Sequence, residues 1–228
     1  MKHPQHILAF DKKAFGIEAL SGFVFMSFNT FLESASRSLF IGRREELETD
    51  ERFAQVLPYV VLIQESKDGP LAFVYRRTKK VGEQRLVENS SIGVGGHVDL
   101  PDVVHAGGVV NLHMTLARAI RRELQEEVVF KTSSTPVGSE HRFNDLSSVF
   151  DMTPKFIGVI NDTSNEVGRV HAGCVFMVKI PAAFKPACRE EELESVGVMP
   201  VNGLQIASEP LENWSRMIID GLVFSAGL

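Results

Sequence analysis

The feature that most constrains this chain is an acidic segment between Leu112 and Phe130. The segment contains no proline or glycine, and it places a guanidinium and three carboxylates in six consecutive positions, at Arg122, Glu123, Glu126 and Glu127. A helical period of about 100° per residue puts the three glutamates on one narrow arc and an apolar arc beside it. We therefore predict a helix with one buried face and an adjacent cluster of carboxylates.

The three like charges repel one another, at about a few tenths of a kcal/mol for each i,i+3 or i,i+4 pair. A divalent cation would offset this repulsion, because Mg²⁺ binds carboxylate oxygens and keeps positions open for water and substrate phosphates. The alternative is a solvated acidic face that is neutralised by nearby arginines, namely Arg118, Arg121 and Arg122. Taken alone, the acidic segment is compatible with both interpretations.

The order Arg-Glu-Leu-x-Glu-Glu-x-x-Phe over residues 122–130 resembles the second half of the Nudix box, the signature of the Nudix hydrolases. The family pattern is Gly, five residues, Glu, seven residues, and then Arg-Glu-apolar-x-Glu-Glu-x-Gly-apolar. Val129 stands where the family has its last glycine. A glycine there suits a positive φ, which a β-branched residue resists, so we expect the helix to end differently in this chain.

The first half of the box has two candidate registers. A start at Gly108 keeps the family's spacing but puts Met114 at the first glutamate position. A start at Gly96 follows a predicted strand and puts Asp102 at that position, but it inserts twelve residues before the second half. We favour Gly96, with residues 103–111 as a loop insertion and Asp102 as a structural acid.

Predicted strands lie on both sides of the acidic helix. Apolar and β-branched runs bounded by turn residues occur at Leu57 to Gln64, Leu71 to Tyr75 and Lys155 to Ile160. With an amphipathic helix near the C-terminus, this order predicts helices packed on a mixed sheet. The resemblance implies the same fold class, α/β, as a Nudix-like α/β/α sandwich. We assign residues 53–228 to this domain and residues 1–52 to an N-terminal extension that packs on the core or on a dimer partner.

The resemblance also implies a metal site on the acidic helix. Glu126 and Glu127 would be the main ligands of Mg²⁺ or Mn²⁺, with Glu123 as a third ligand and the Gly96 carbonyl as a further one. Arg122 would hold the carboxylates in place through ion pairs. The implied activity is that of a pyrophosphohydrolase, which cleaves a small-molecule diphosphate such as a nucleoside diphosphate linked to another moiety.

The resemblance identifies neither a substrate nor the general base. The passages Gln55 to Val61 and Glu166 to Gly173 resemble a bacterial-type Nudix branch described only as predicted phosphoesterases. In this family the general base often lies outside the box, and the sequence does not identify it among the candidates Glu140, Glu166, Glu191, Glu192 and Glu194.

Two other functions stay open. The substitution at Val129 and the altered first half of the box favour a non-hydrolytic Nudix module that binds a nucleotide-like ligand for regulation. A Nudix-fold diphosphate isomerase typically needs a catalytic cysteine. Neither Cys174 nor Cys188 lies near the box in the sequence, so this function ranks last. We interpret both cysteines as free thiols.

Charge and hydropathy limit the classes of partner that we expect for this protein. A net charge of −5 gives no electrostatic reason to expect nucleic acid or an anionic membrane as a partner. The most apolar window, Ala19 to Phe31, is shorter than the ~20 residues that span a bilayer. We therefore predict a cytoplasmic protein that binds neither nucleic acid nor membrane. Whether the phenylalanine-rich N-terminal residues cover their own core or form a homodimer stays open.

Overall fold

The computed structural model describes residues 5–77, 89–132, 140–189, 193–204 and 210–226. Residues 78–88 and 133–139 lie outside the described residues, as do two candidate general bases, Glu191 and Glu192. Within the described residues, no helix is long and apolar enough to cross a membrane.

The helices and strands follow one another in a mixed order along the chain. The helices are α1 (Lys12–Phe15), α2 (Phe28–Ala35), α3 (Arg44–Leu47), α4 (Leu112–Glu127), α5 (Phe143–Ser147), α6 (Glu166–Arg169), α7 (Val201–Leu204) and α8 (Asn213–Ala226). The strands are β1 (His6–Asp11), β2 (Gly22–Phe25), β3 (Leu39–Arg43), β4 (Phe53–Ser66), β5 (Gly69–Arg77), β6 (Ser90–Ser91), β7 (Gly93–Val94), β8 (His105–Ala106), β9 (Val109–Val110), β10 (Val128–Thr132), β11 (Lys155–Asn161), β12 (His171–Lys179), β13 (Phe184–Cys188) and β14 (Leu193–Pro200).

Ten of the strands in the described part of the chain belong to one sheet. Most neighbours in it are antiparallel, as β1 is to β3 and β14 is to β5. The neighbours β4 and β12 run parallel, since the Gln55 N–H donates to Val170 O and the Ile180 N–H donates to Ile63 O. A large mixed sheet with helices confirms the predicted α/β fold class.

The described residues divide into two compact units. The first comprises Met1–Tyr59, Gly95–Ile120 and Phe156–Phe176, and the second comprises Val60–Val94, Arg121–Lys155 and Met177–Leu228. This division crosses the predicted boundary at residues 52 and 53. The assignment of residues 1–52 to an extension stays a prediction.

In the first unit, the N-terminal residues form part of the sheet. Strand β1 pairs with β4 at Ala9 and Gln55, and β2 pairs with β11 at Val24 and Val159. Strand β2 depends on its partner β11, which supplies its backbone hydrogen bonds, because strand formation is set more by such pairing than by local propensity.

The aromatic side chains of the first unit pack mainly against one another. The ring of Phe28 lies 5.1 Å from that of Phe156 and 6.2 Å from those of Phe31 and Phe176. Phe31 is fully buried, whereas Phe25 is half exposed. Burial of such rings contributes strongly to the stability of a core, so these N-terminal phenylalanines contribute to the unit's own packing.

Residues 103–111, predicted as a loop, contain the β8–β9 hairpin. His105 pairs with Val110, and the turn between the strands is formed by Gly107 and Gly108 with φ of 60° and 83°. Two successive positive φ values are typical of the tightest hairpin turns, and glycine adopts them without steric cost.

In the second unit, β5 pairs with β4, β6 and β14. The terminal helix α8 buries Ile218 and Ile219, and its Ser215 hydroxyl accepts a hydrogen bond from the Ile92 N–H at 3.0 Å. A separate two-stranded sheet joins β10, which follows the acidic helix directly, to β13. The second half of the acidic helix therefore lies in this unit.

Candidate active site

Helix α4 has the two faces that the sequence predicts. Leu116, Ile120 and Leu124 are buried, whereas Arg121 and Glu126 are exposed. The helix ends at Glu127, and Val128 already begins strand β10.

Arg122 brings two of the predicted ligands together. Its Nη1 donates to Glu123 Oε1 at 2.8 Å and to Glu126 Oε2 at 3.2 Å, so these two oxygens are no more than 6.0 Å apart. The Glu123 side chain is 9% exposed and the Glu126 side chain 52% exposed. One carboxylate is therefore fixed in a buried position, while the other can move with little loss of packing.

The end of helix α4 is stabilised by arginines from elsewhere in the second unit. Arg142 Nη1 donates to Gln125 O at 3.1 Å, and the Arg189 N–H donates to Glu127 O at 2.8 Å. The last carbonyls of a helix lack partners within the helix, and a glycine motif usually satisfies them. Here arginine donors do so, and their positive charge also complements the helix dipole. This explains how Val129 can replace the glycine, as we expected from the sequence.

The two glycines that precede His97, Gly95 and Gly96, form a glycine segment that lies in the first unit. A Cβ on Gly95 would lie 1.9 Å from Pro58 O, so only glycine permits this close approach of two backbone segments. Gly96 follows it, half-buried. Because the glutamates lie in the second unit, the role of the Gly96 carbonyl as a metal ligand stays a prediction.

Asp102 has the structural role predicted for it. Its Oδ2 accepts from the Asp99 N–H at 3.1 Å, and its own N–H donates to Asp99 O at 2.9 Å, across the 3-10 helix Leu100–Asp102. The side chain is 4% exposed. Asp102 therefore holds the chain that follows the glycine segment.

The donors on helix α4 suit a hard divalent cation. Glu123, Glu126 and Glu127 offer carboxylate oxygens, the ligands that Mg²⁺ prefers. Arg122 contacts two of the carboxylates, and the exposed Glu126 has room to turn toward an ion if it gives up this contact. The chemistry of this set therefore fits the predicted cofactor.

Three other residues, none of them anticipated as a metal site, converge in the first unit. Glu48, His97 and His171 each offer one ligand atom within 4.8 Å of those of the other two. Among the described residues, no other group of three or more His, Cys, Asp or Glu side chains brings its ligand atoms this close together, and this includes the glutamates of helix α4. Glu48 stands in a run of charged residues, and neither Glu48 nor His171 has a metal-binding spacing in the sequence. His97 alone carries a signal, because it follows Gly95 and Gly96.

Comparison with known proteins supports the fold. The solved structure of Tm1382, a candidate Nudix hydrolase, has a TM-score of 0.69 at 24% identity, over 96% of this chain and 99% of that protein. A Nudix hydrolase from Alicyclobacillus acidocaldarius is similar at a TM-score of 0.48 and 14% identity, over 75% of this chain and 91% of that one. The second similarity is too weak to support an argument.

The sequence comparisons name no activity. Protein YmaB of Bacillus subtilis (strain 168) is 29% identical over 191 residues, which cover 83% of this chain and 79% of YmaB. No protein-family model matches the chain. The conclusion on the fold follows from the mixed sheet, from helix α4 with its Nudix-like motif, and from the agreement with Tm1382 over nearly the whole length. This chain therefore has the Nudix fold.

Proposed function

We propose that this protein is a divalent-metal-dependent hydrolase that cleaves the diphosphate linkage of a nucleoside diphosphate linked to another moiety, or of a similar small molecule. One observation carries the proposal. On a helix that ends in the Nudix-like motif, the Arg122 guanidinium contacts both the buried Glu123 and the exposed Glu126. This arrangement orients acidic ligands without neutralising all of them.

The residues of helix α4 take different roles. Glu126 and Glu127, which are more exposed than Glu123, would bind Mg²⁺ or Mn²⁺ directly. Glu123 would be a third ligand with a fixed position, and Gly96 would add a carbonyl oxygen. Arg122 is a positioning residue, since its two ion pairs set the orientation of the carboxylates.

The cation would supply charge neutralisation for the diphosphate and a lower pKa for an attacking water. The chain's own contribution is the rigid placement of the oxygens. The Arg142 and Arg189 hydrogen bonds fix the helix end that carries Glu126 and Glu127. Preorganised ligands of this kind need not reorganise during the reaction, which favours the transition state.

Turnover of a diphosphate panel tests the proposal. The wild-type protein with Mg²⁺ should release phosphate-containing products, and Glu126→Gln and Glu127→Gln should each lose most of this activity. Glu33→Gln is a matched control, because Glu33 is an exposed glutamate on helix α2. Absence of turnover in the wild type, or equal turnover in the Glu126 and Glu127 variants, would contradict the proposal.

The replacement at Val129 supports a second candidate, a non-hydrolytic Nudix module that binds a nucleotide-like ligand for regulation. Strand β10 starts directly at the helix end, so the backbone after the glutamates is extended. Thermal stabilisation by a nucleotide diphosphate, without products and without metal dependence, would favour this candidate.

The remaining features of the proposed activity follow from the sequence. We expect a small-molecule substrate, no nucleic-acid or membrane partner, and a cytoplasmic location. A homodimer also stays a proposal, which light scattering on the full-length protein would test.

A further inference from the structure

Glu48, His97 and His171 come from three separate segments of the first unit. Glu48 follows helix α3, His97 follows the glycine segment, and His171 is the first residue of strand β12. The His97 and His171 Nε2 atoms are 3.2 Å apart, and the Glu48 carboxylate completes the group. This group lies outside the box helix, and the proposed hydrolysis does not use it.

The protonation of His171 follows from its backbone contact. Its Nδ1 lies 2.6 Å from Val167 O, and a carbonyl oxygen can only accept, so Nδ1 carries the proton. In the neutral tautomer, Nε2 then presents a lone pair toward His97. A hydrogen bond from one ring nitrogen to a backbone carbonyl is the usual way in which a metal-binding imidazole is oriented.

Gln55 adds a fourth polar side chain next to the histidines. Its Oε1 lies 2.8 Å from His97 Nε2. The His97 Nε2–H thus lies between two acceptor atoms, Gln55 Oε1 and His171 Nε2. A metal ion could take the place of that proton, which the neutral His97 ring would then carry on Nδ1, and the ion would be bound by electron pairs that already converge.

The Gln55 amide gives independent evidence of a polar site. Gln55 is 0% exposed, and among the described residues its Nε2 is a buried atom with no hydrogen-bond partner. An unpaired buried N–H donor is costly, and it calls for an acceptor oxygen such as that of a water bound at the site. The amide is held here, beside His97, despite that cost.

The distances suit zinc. Two nitrogens bound at about 2.0–2.1 Å to a tetrahedral Zn²⁺ are roughly 3.3 Å apart. The observed separation of His97 Nε2 and His171 Nε2 is 3.2 Å, close to this value. The two rings therefore need little movement to bind one ion.

The donor chemistry also distinguishes this group from the box glutamates. Two neutral imidazoles and a carboxylate suit a borderline ion such as Zn²⁺, whereas Mg²⁺ favours oxygen ligands. Glu48 supplies the negative charge, and its exposed side chain now pairs with Arg44 at 2.9 Å. Metal binding would require Glu48 to give up this ion pair with Arg44, which costs little because both side chains are partly exposed to solvent.

We propose that Glu48, His97 and His171, with Gln55 beside them, form a Zn²⁺ site distinct from the carboxylates of the box helix. The bound ion would link helix α3, the glycine segment and the start of strand β12. It would thereby stabilise the segment that contains Gly96. The proposal does not depend on the hydrolytic activity.

Zinc binding by the full-length protein, prepared without a histidine tag, tests this site. Isothermal titration with Zn²⁺ should give one tight site per chain that a large excess of Mg²⁺ does not displace. The melting temperature should rise with Zn²⁺ concentration. Co²⁺ in place of Zn²⁺ should give the visible absorption of a tetrahedral complex.

Variants identify the ligands. His97→Ala should abolish tight binding, and Glu48→Gln should weaken it by about 10-fold or more. Glu46→Gln, which removes a neighbouring exposed carboxylate paired with Arg43, should bind as the wild type does. A double Glu126→Gln, Glu127→Gln variant should also retain the site, which separates it from the box.

The same experiment can overturn the proposal. Failure of the wild-type protein to bind Zn²⁺ would do so, as would binding that survives Glu48→Gln unchanged. Glu48 is exposed, so Glu48→Gln keeps the fold and decides the question even if His97→Ala does not fold. Loss of zinc binding in the Glu126 and Glu127 double variant would place the site at the box instead.

Discussion

The guanidinium of Arg122 lies 2.8 Å from the buried carboxylate of Glu123. It also reaches Glu126, one turn further along helix α4, at 3.2 Å. The pairing explains how a buried carboxylate persists beside two other glutamates, because the arginine offsets the repulsion and donates to one of the carboxylate oxygens.

Replacement of Arg122 by alanine should therefore affect both function and stability. Without the guanidinium, Glu123 keeps its burial but loses this partner, which costs on the order of 1–3 kcal/mol. The apparent affinity for Mg²⁺ should fall by about 10- to 100-fold because the carboxylates are no longer oriented. Urea unfolding and the Mg²⁺ dependence of turnover measure the two effects.

Arg121→Ala is the matched control for that change. Arg121 is the exposed neighbour on the same helix, and its removal should leave both quantities nearly unchanged. If Arg122→Ala behaved in the same way as Arg121→Ala, the positioning role of Arg122 would be wrong.

Arg142→Ala should loosen the end of helix α4. Its Nη1 donates to Gln125 O, so the change leaves a helix carbonyl without this donor, at about 0.5–1.5 kcal/mol. Arg189→Ala should cost less, because the Arg189 backbone N–H still donates to Glu127 O. Hydrogen exchange at the last turn of the helix would compare the two variants, and equal protection in both would contradict this account.

The fold was predictable mainly where the information is local. The helix period from Leu112 and the apolar run of β4 are each patterns within one segment, and both elements formed. Helix α4 ends at Glu127 and not at Phe130, and β4 extends beyond the predicted Leu57 to Gln64 at both ends. The end of helix α4 was predictable only as a departure from the glycine pattern. Its actual donors, Arg142 and Arg189, come from distant positions that no local pattern connects.

The cluster in the first unit shows the same limit more sharply. Glu48, His97 and His171 lie far apart in the sequence and have no metal-binding spacing. Strand pairing brings them together, since Gln55 of β4 bonds to Val170, directly before His171. Only tertiary structure could reveal such a group.

Gly95→Ala should destabilise the protein strongly. The added Cβ would lie 1.9 Å from Pro58 O, a backbone atom that cannot move without shifting strand β4. We expect a loss of roughly 2 kcal/mol or more. Gly203→Ala is the control, because a Cβ on this helical glycine meets Pro200 Cβ at 3.6 Å, an ordinary contact. Thermal unfolding should show a clear decrease for Gly95→Ala and little change for Gly203→Ala.

Removal of residues 1–52 should prevent folding of the first unit. The deletion takes away strands β1, β2 and β3 together with fully buried side chains such as Ile7, Phe10 and Phe31. Strands β4 and β11 would lose their partners β1 and β2. Circular dichroism and a thermal melt would test this, with deletion of residues 1–4 as the control. A cooperatively folded truncated protein would instead support residues 1–52 as a separable extension.

The two cysteines should differ in reactivity. Cys174 is fully buried in strand β12, and burial raises the pKa of its thiol, so the reactive thiolate does not form in the folded protein. Cys188 is half-buried in strand β13. At about pH 8, near the ordinary thiol pKa, a thiol reagent should label Cys188 only. Cys188→Ser should then give no labelling until the protein is unfolded.

The same thiol makes stability depend on alkaline pH. In the unfolded chain the Cys174 thiol has its ordinary pKa of about 8.5. In the folded protein burial raises this pKa, so the thiol keeps its proton at higher pH. The folded state therefore binds more protons in this range, and stability falls as pH rises, by at most about 1.4 kcal/mol per pH unit. Urea unfolding at pH 8 and pH 10 should show a smaller decline for Cys174→Ala than for the wild type. An equal decline in both would mean that other groups cause it.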